Sequence, residues 1–569
     1  MISFLAGLIV FAGVTLGLAW PLVERLSLEP AEKLTATVAL SLLGVFLFAW
    51  IVYVADLPSA LLYFIPLAAA VGLLLGRHSF ALLLRDPDTA SLLTGQVILT
   101  LWSVAGLALV VSYSGGSWLA DWFGHLQRTW FFLEHWSQDI LSNGFDPLTS
   151  RPPLANIVNG AFLEITQRNF AHYQLFSTLF SSLVFLPAGL LARRFGGRRA
   201  ISVLVLLFMV NPLYAQNATY AWTKLPAAFL TLTSLYFFLR FHDQPGSPVH
   251  AVLFAVTLAA ALLTHYSAGP YAVLMGIMWF LLERQRWARA DWWRTTAIAI
   301  LAGALVLATW FGWAFATYGV RGSLMTNTSI TDHAPGVVAQ LQVVLLNLRD
   351  TFAPHFFRTI DPGLLAQRSS LGWWRDWFFQ LYQVNFFFAF GSMAWVAILI
   401  LLLRQWESAS VMWRTFWIVF IIGNAVLGVA VHGGRDVWGL AHICLQPLVL
   451  LGLAFLAAHW CQLSRPWRLI LIAGATVDFF SGIFLQFGVQ ALALERWLTG
   501  DRPVPELIDT YSIQTRMNYG AKIHNHWVFA GDIFLDHRVS IVMALGFLFL
   551  SALWMVARNA AKSAPPQNS

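Results

Sequence analysis

Apolar and polar positions along this chain fall into long blocks rather than short alternating periods. Each apolar block has roughly the 20 residues that an α-helix needs to cross the hydrocarbon core of a bilayer. The pattern predicts an all-α polytopic membrane protein with about fourteen or fifteen transmembrane helices. The predicted spans lie roughly at 2–22, 33–54, 58–76, 91–113, 174–192, 200–216, 224–240, 250–266, 268–283, 296–316, 384–403, 412–431, 437–458, 467–487 and 539–557.

Composition and charge support this interpretation. Hydrophobic residues make up 58% of the chain, charged residues 11%, and the mean hydropathy is +0.68. The net charge of +7 is concentrated in short loops. Counting the predicted spans between these loops places all of them on one face of the membrane. Lys and Arg in short loops stay cytoplasmic, so we interpret the charge as membrane orientation and expect no nucleic-acid partner. These basic loops are 193–199, 284–294, 404–414, 465–468 and 558–562.

The long polar loops lie on the opposite face. We predict that the protein lies in the cell (inner or plasma) membrane and that this face is turned to the periplasm or the exterior. Aromatic segments with interspersed charge, such as 122–132 and 373–379, are expected to form amphipathic helices in contact with membrane lipids. The pattern divides the chain into N-terminal spans, a core with the first external loop, a second external loop, C-terminal spans, a further external loop, and a last span with its tail. The corresponding ranges are 1–113, 114–316, 317–383, 384–487, 488–538 and 539–569.

A cluster of polar residues at 117–154 is the most unusual segment of this acid-poor chain. Asp121 and His125 are four residues apart and would share one face of a helix. A partly desolvated carboxylate can act as a general base, although Asp121 could equally cap the helix. The other acids of the segment are interpreted as surface charges, namely Glu134, Asp139 and Asp146.

The order of features from this segment onward resembles the GT-C superfamily of integral-membrane glycosyltransferases. The similarity is to the branch that includes protein O-mannosyltransferases and lipid A aminoarabinose transferases. Asp121 follows a span, an amphipathic stretch covers 127–136, and ProProLeu stands at 152–154. A span then leads to the basic loop 193–199. The resemblance covers roughly residues 110–290 and implies a GT-C-like fold.

The resemblance implies transfer of a sugar from a polyprenyl-phosphate-linked donor to an acceptor hydroxyl, with inversion. Asp121 would be the catalytic base, and His125 would orient it or bind the acceptor. The acceptor is left open among a glycan, a lipid and a protein. A divalent metal is also left open, because some relatives use one and others do not, and no clear ligand set or certain cofactor is visible.

Further substrate-binding candidates lie at the ends of spans on the same face. Lys224 stands where other superfamily members often have an acid, which argues against a second carboxylate for a metal and suits contact with the lipid phosphate; simple extension of its side chain into the headgroups is an equal alternative. Arg151 directly precedes ProProLeu and is a substrate-binding candidate together with that motif. His265 follows a span, where a structural role is the alternative. His432 and Arg435 flank a glycine turn that suits phosphate, although Arg435 could instead pair with its acidic neighbour.

Two other functions remain as alternatives. A lipid-linked polysaccharide polymerase or ligase would also carry Arg and His in a large external loop, but would leave ProProLeu unexplained. A polytopic transporter should show ionisable residues at mid-membrane and paired repeats, which this sequence lacks.

Overall fold

The computed structural model describes residues 2–111, 121–141, 147–244, 247–326, 336–357, 379–407, 409–432, 444–483, 487 and 528–561. Within these ranges every regular element is a helix. The prediction of an all-α polytopic membrane protein is confirmed.

The helices of eight or more residues are numbered in chain order. They are α1 (Ile2–Gly17), α2 (Pro30–Val54), α3 (Phe64–Leu75), α4 (Arg77–Arg85), α5 (Pro87–Leu107), α6 (Asp121–Leu133), α7 (Leu154–Ile165), α8 (Phe170–Ser182), α9 (Phe185–Gly196), α10 (Arg198–Val210), α11 (Pro212–Thr219), α12 (Lys224–Asp243), α13 (Pro248–Thr264), α14 (Gly269–Leu282), α15 (Ala290–Leu324), α16 (Val337–Phe352), α17 (Ala394–Trp406), α18 (Val411–His432), α19 (Gln446–Ala458), α20 (Arg465–Ile483) and α21 (Arg538–Ala561). Shorter helical turns include Trp20–Val23, Ser59–Tyr63, Leu148–Ser150, Tyr266–Ala268, Arg284–Arg286, His355–Phe357, Phe379–Val384, Phe386–Ala389, Trp460–Gln462, Ala530–Ile533 and Leu535–His537.

In the described part of the chain, eight helical segments are long and apolar enough to cross a membrane. The number rises to ten if each of two bent helix pairs is counted as one span. The predicted fourteen or fifteen crossings are reached only if shorter apolar helices also cross. The predicted span 200–216 is interrupted, because α10 and α11 meet at 72°. The break has a local cause: Asn211 caps the new helix by accepting from the amide of Tyr214 at 2.8 Å, and Pro212 occupies its first position.

Helices α8 and α9 together form an apolar segment of 27 residues, Phe170–Gly196. At 1.5 Å per residue such a segment is long enough to cross the bilayer core. Its first residues follow α7, and its last residues lead into the basic segment 193–199. The polar cluster and this basic segment therefore lie at opposite ends of one membrane-crossing element.

The N-terminal helices pack against the core rather than standing apart. Helix α1 contacts α8, and α2 contacts α7, α12 and α13. The buried carboxylate of Glu32, in the first turn of α2, accepts from Arg240 Nε at 2.5 Å and from the Tyr236 hydroxyl at 3.0 Å, both on α12. This buried charged contact joins the first turn of α2 to α12.

Helix α15 ends close to the polar cluster because it is broken near its end. Gly319 has a φ of 70°, a conformation that glycine adopts without the steric cost of a side chain. Beyond this break, the carbonyl of Gly322 accepts from the hydroxyl of Thr149 at 2.7 Å. The turn Leu148–Ser150 is thus held from the side of α15.

Candidate active site

Helix α6 begins at Asp121, so Asp121 and His125 are one helical turn apart, as their spacing predicts. The side chain of Asp121 lies outside the described residues. His125 is 2% exposed, and its two ring nitrogens face two different segments. Nδ1 is 3.2 Å from Asn156 Oδ1 on α7, and Nε2 is 3.4 Å from Thr223 Oγ1, just before α12. His125 therefore joins three segments that are distant in sequence.

Positive charge surrounds this imidazole. Arg128 lies on the same helix, Arg151 precedes ProProLeu, and Lys224 begins α12, and all three act electrostatically on His125. Burial, followed by these three positive charges, lowers the pKa of His125 well below its usual range. The imidazole is consequently neutral at physiological pH.

Arg128 fixes the turn that precedes ProProLeu. Its Nη2 donates to Ser150 Oγ at 2.6 Å and to the carbonyl of Pro147 at 3.4 Å, and its Nη1 donates to Gly124 O at 3.0 Å. Arg151 in turn donates to the carbonyl of Ser150 at 3.2 Å. The planar guanidinium suits such a multiple contact, so Arg128 sets where Arg151 stands relative to α6.

Lys224 is 5% exposed, and its ammonium lies 5.3 Å from the ring centroid of Trp222. A cation stacked on an aromatic face gains a favourable electrostatic contact. Lys224 also acts electrostatically on Cys444, which lies two residues before the first residue of α19. The second half of the chain therefore approaches the site at Lys224.

His265 lies near the same turn but is engaged in local structure. Its Nδ1 accepts from the backbone amide of Ser267 at 3.0 Å and is 2.9 Å from that residue's hydroxyl. The neighbouring Tyr266 donates its hydroxyl to the carbonyl of Thr149 at 3.2 Å. His265 thus caps the turn Tyr266–Ala268 and supports the segment of Arg151 indirectly.

The remaining candidates are less fully described. The backbone of His432 ends α18, while its side chain, Arg435 and Asp146 lie outside the described residues. Glu134 is half-buried beside Arg168, and Asp139 is exposed, as expected of surface charges. No group of three or more His, Cys, Asp and Glu side chains positioned to hold a metal is present in the part of the chain that the structure describes.

Sequence reasoning did not select Asn156, Thr223 or Arg128 as site residues. Asn156 follows ProProLeu by two residues, and Thr223 directly precedes Lys224. The position of Asn156 beside ProProLeu and that of Thr223 beside Lys224 were the signals that could have identified these two residues. Their contacts with His125 and Ser150 depend on tertiary packing, which no spacing in the sequence reveals.

Residues 97–319 match the family model described as "Dolichyl-phosphate-mannose-protein mannosyltransferase". The resemblance to the GT-C glycosyltransferases is confirmed. The matched segment contains Asp121, His125, Arg151, Lys224 and His265. No curated protein matches the sequence.

Among solved structures, ArnT from Cupriavidus metallidurans bound to undecaprenyl phosphate is similar at 15% identity and a TM-score of 0.47. The alignment covers 83% of this chain and 80% of that one. The oligosaccharyltransferase of Archaeoglobus fulgidus is similar at 14% identity over 80% of this chain and 60% of that one, with a TM-score of 0.39. Arabinosyltransferase EmbB from Mycobacterium smegmatis has 14% identity over 88% and 45%, with a TM-score of 0.32.

Proposed function

We propose that this protein is a glycosyltransferase that moves a sugar from a polyprenyl-phosphate-linked donor to an acceptor hydroxyl. The observation that carries the proposal is the group of Arg128, Arg151 and Lys224 around His125, inside the segment that matches a lipid-phosphate-sugar transferase family. This group is hereafter the cationic cluster. Three cations that converge in a largely buried place produce a positive potential suited to a phosphate.

In the proposed reaction, the donor phosphate binds to the cationic cluster, with Lys224 and Arg151 as its main contacts. The acceptor oxygen attacks the anomeric carbon and transfers its proton to the carboxylate of Asp121. The bond between the anomeric carbon and the phosphate oxygen breaks, and the polyprenyl phosphate leaves with the bonding electrons. A single displacement of this kind inverts the anomeric configuration.

Each partner in this scheme has an expected contribution. A positioned general base typically supplies about 10²- to 10⁴-fold in rate, and fixed cations stabilise the negative charge that develops on the leaving phosphate. The neutral state of His125 avoids a fourth positive charge in the cluster while offering a hydrogen-bond acceptor. A divalent metal is not required by this scheme.

We also propose that the site faces the periplasm or the exterior. The basic loops support this orientation, because Lys and Arg in short loops favour the cytoplasmic side and the segment 193–199 lies across the span Phe170–Gly196 from α7. Access to soluble nucleotide sugars is absent on that side, which fits a donor that is carried in the membrane.

The decisive experiment supplies the full-length protein in lipid nanodiscs with undecaprenyl phosphate bearing mannose, glucose, galactose or aminoarabinose, and with membrane lipids, glycans or peptides as acceptors. Wild type should transfer one sugar, and Asp121→Asn should lose roughly 10²- to 10⁴-fold in kcat while still binding donor. Asp139→Asn is the matched control, because Asp139 is an exposed acid of the same polar segment and should retain activity.

Two outcomes would overturn the proposal. Full activity in Asp121→Asn would eliminate the base, whereas donor crossing of the bilayer without sugar transfer, measured with the protein reconstituted in sealed liposomes, would indicate a transporter.

A further inference from the structure

The amide of Asn156 stands directly against the imidazole of His125. Asn156 is the third residue of α7 and is 1% exposed. Its Oδ1 lies 3.2 Å from His125 Nδ1, while the opposite nitrogen of the ring is 3.4 Å from the hydroxyl of Thr223. The three side chains form a hydrogen-bonded row from α7 through α6 to the turn before Lys224.

The chemistry of this row selects one tautomer. An amide oxygen can only accept a hydrogen bond, so Nδ1 must carry the proton that lies between them. In a neutral imidazole the other nitrogen, Nε2, is then an acceptor, and the hydroxyl of Thr223 can donate to it. The ring therefore offers a lone pair, rather than another N–H, on the side of Lys224.

The charges around His125 explain why this arrangement matters. Arg128 faces it from α6, Arg151 from the turn before α7, and Lys224 from α12. Asp121 lies one turn earlier on α6, and its side chain lies outside the described residues. A second N–H directed at this place would repel the cations, while a lone pair is compatible with them.

We propose that Asn156 is a positioning residue that holds His125 as the Nδ1–H tautomer, so that Nε2 accepts from Thr223 and orients the turn that carries Lys224. The structural part of this proposal is independent of substrate. Its consequence for catalysis rests on the proposed function, because it assumes that Lys224 contacts the donor phosphate.

Asn159 provides a matched control on the same helix. It lies three residues after Asn156, is 5% exposed, and donates its amide nitrogen to Ser177 Oγ at 3.0 Å. An Asn→Asp change at either position introduces the same carboxylate into a similarly buried place. Only the change at position 156 puts that carboxylate beside the His125 ring.

The first test is ¹⁵N NMR of histidine-labelled full-length protein in nanodiscs, with the His125 signals assigned by their loss in His125→Gln. Wild type and Asn159→Asp should show a protonated Nδ1 and a bare Nε2 at neutral pH. In Asn156→Asp the new carboxylate should stabilise the imidazolium, so that His125 protonates at a clearly higher pH. A protonated Nε2 in wild type, or identical titrations of the two aspartate variants, would overturn the proposal.

The second test is the pH dependence of sugar transfer from the donor that wild type accepts. Asn156→Leu should lose roughly 10- to 100-fold in kcat/KM, the range found when partners that orient metal-bound histidines are removed. Asn156→Asp should regain activity as the pH rises past the protonation of His125, whereas Asn159→Asp should show no such recovery. Unchanged activity in Asn156→Leu would refute the positioning role, while an inactive wild type with the expected NMR signals would refute the proposed function instead.

Discussion

Replacing Lys224 by methionine should weaken binding of the lipid phosphate while preserving the fold. Lys224 is 5% exposed and lies over Trp222 at the first position of α12. Methionine keeps an unbranched apolar side chain of similar length and removes the charge. The variant therefore isolates the contribution of the ammonium to the cationic cluster.

The expected size of the effect follows from the contact that is lost. A hydrogen bond to a charged group contributes about 1.5–3 kcal/mol, and each 1.4 kcal/mol changes a binding constant tenfold. The Kd for undecaprenyl phosphate should accordingly rise by roughly 10- to 150-fold. Arg128 and Arg151 remain in the cluster, so binding should be weakened rather than abolished.

The assay is titration of undecaprenyl phosphate into the full-length protein in nanodiscs, with thermal unfolding measured in parallel. Lys33→Met is the control, because Lys33 donates to the carbonyl of Glu24 at 2.7 Å and is not part of the cluster. Its Kd should equal that of wild type, and Lys224→Arg should restore most of the affinity. A Lys224→Met variant that unfolds like wild type and binds with unchanged Kd would refute the phosphate role of Lys224.

Three further predictions concern stability. The unfolded chain takes up a proton on His125 near pH 6.5 and the folded chain does not, so the free energy of unfolding should fall below that pH by up to about 1.4 kcal/mol per pH unit. His125→Gln should reduce this slope in denaturation measured from pH 7 to 5. Glu32→Gln removes the buried partner of Arg240, which keeps Glu29 at 2.6 Å, so it should cost less than the about 3–5 kcal/mol of a fully unpaired buried charge, read from the unfolding midpoint. Ser150→Ala removes the 2.6 Å contact with Arg128 and should cost about 1.5–3 kcal/mol; an unchanged midpoint in either variant would contradict the assigned contact.

The blocks of apolar residues predicted where the helices lie, because the length of a membrane helix is set by the thickness of the bilayer core. The same blocks did not predict the bend at Asn211. An apolar run continues through it to residue 216, and only the capping side chain and Pro212 mark a new helix. Periodicity reports burial, whereas helix direction depends on such single residues and on what they contact.

For the candidate site, the sequence likewise predicted the local geometry but not the tertiary contacts. The one-turn spacing of Asp121 and His125 depends only on local helical geometry, and helix α6 reproduces it. The meeting of His125 with Asn156 and Thr223 spans 31 and 98 residues of sequence, respectively. Such contacts are consequences of packing between segments, so a single sequence carries no direct record of them.

The N-terminal helices α1–α4 lie before the segment that matches the family model, and α2 contacts helices that carry the candidate site. Trp50 on α2 packs edge-on against Phe132 of α6 and against Trp310 of α15, with ring centroids 6.2 Å and 5.8 Å apart. At its other end, α2 holds α12 through Glu32 and Arg240. Helix α6 carries Arg128 and His125, and helix α12 begins with Lys224, so α2 contacts two of the three segments that supply the cationic cluster. If α2 sets their relative position, Trp50→Ala should lower donor affinity even though Trp50 lies outside the cluster, and the loss should be absent in a variant of an α2 residue that faces away from both helices, such as Ile51→Ala.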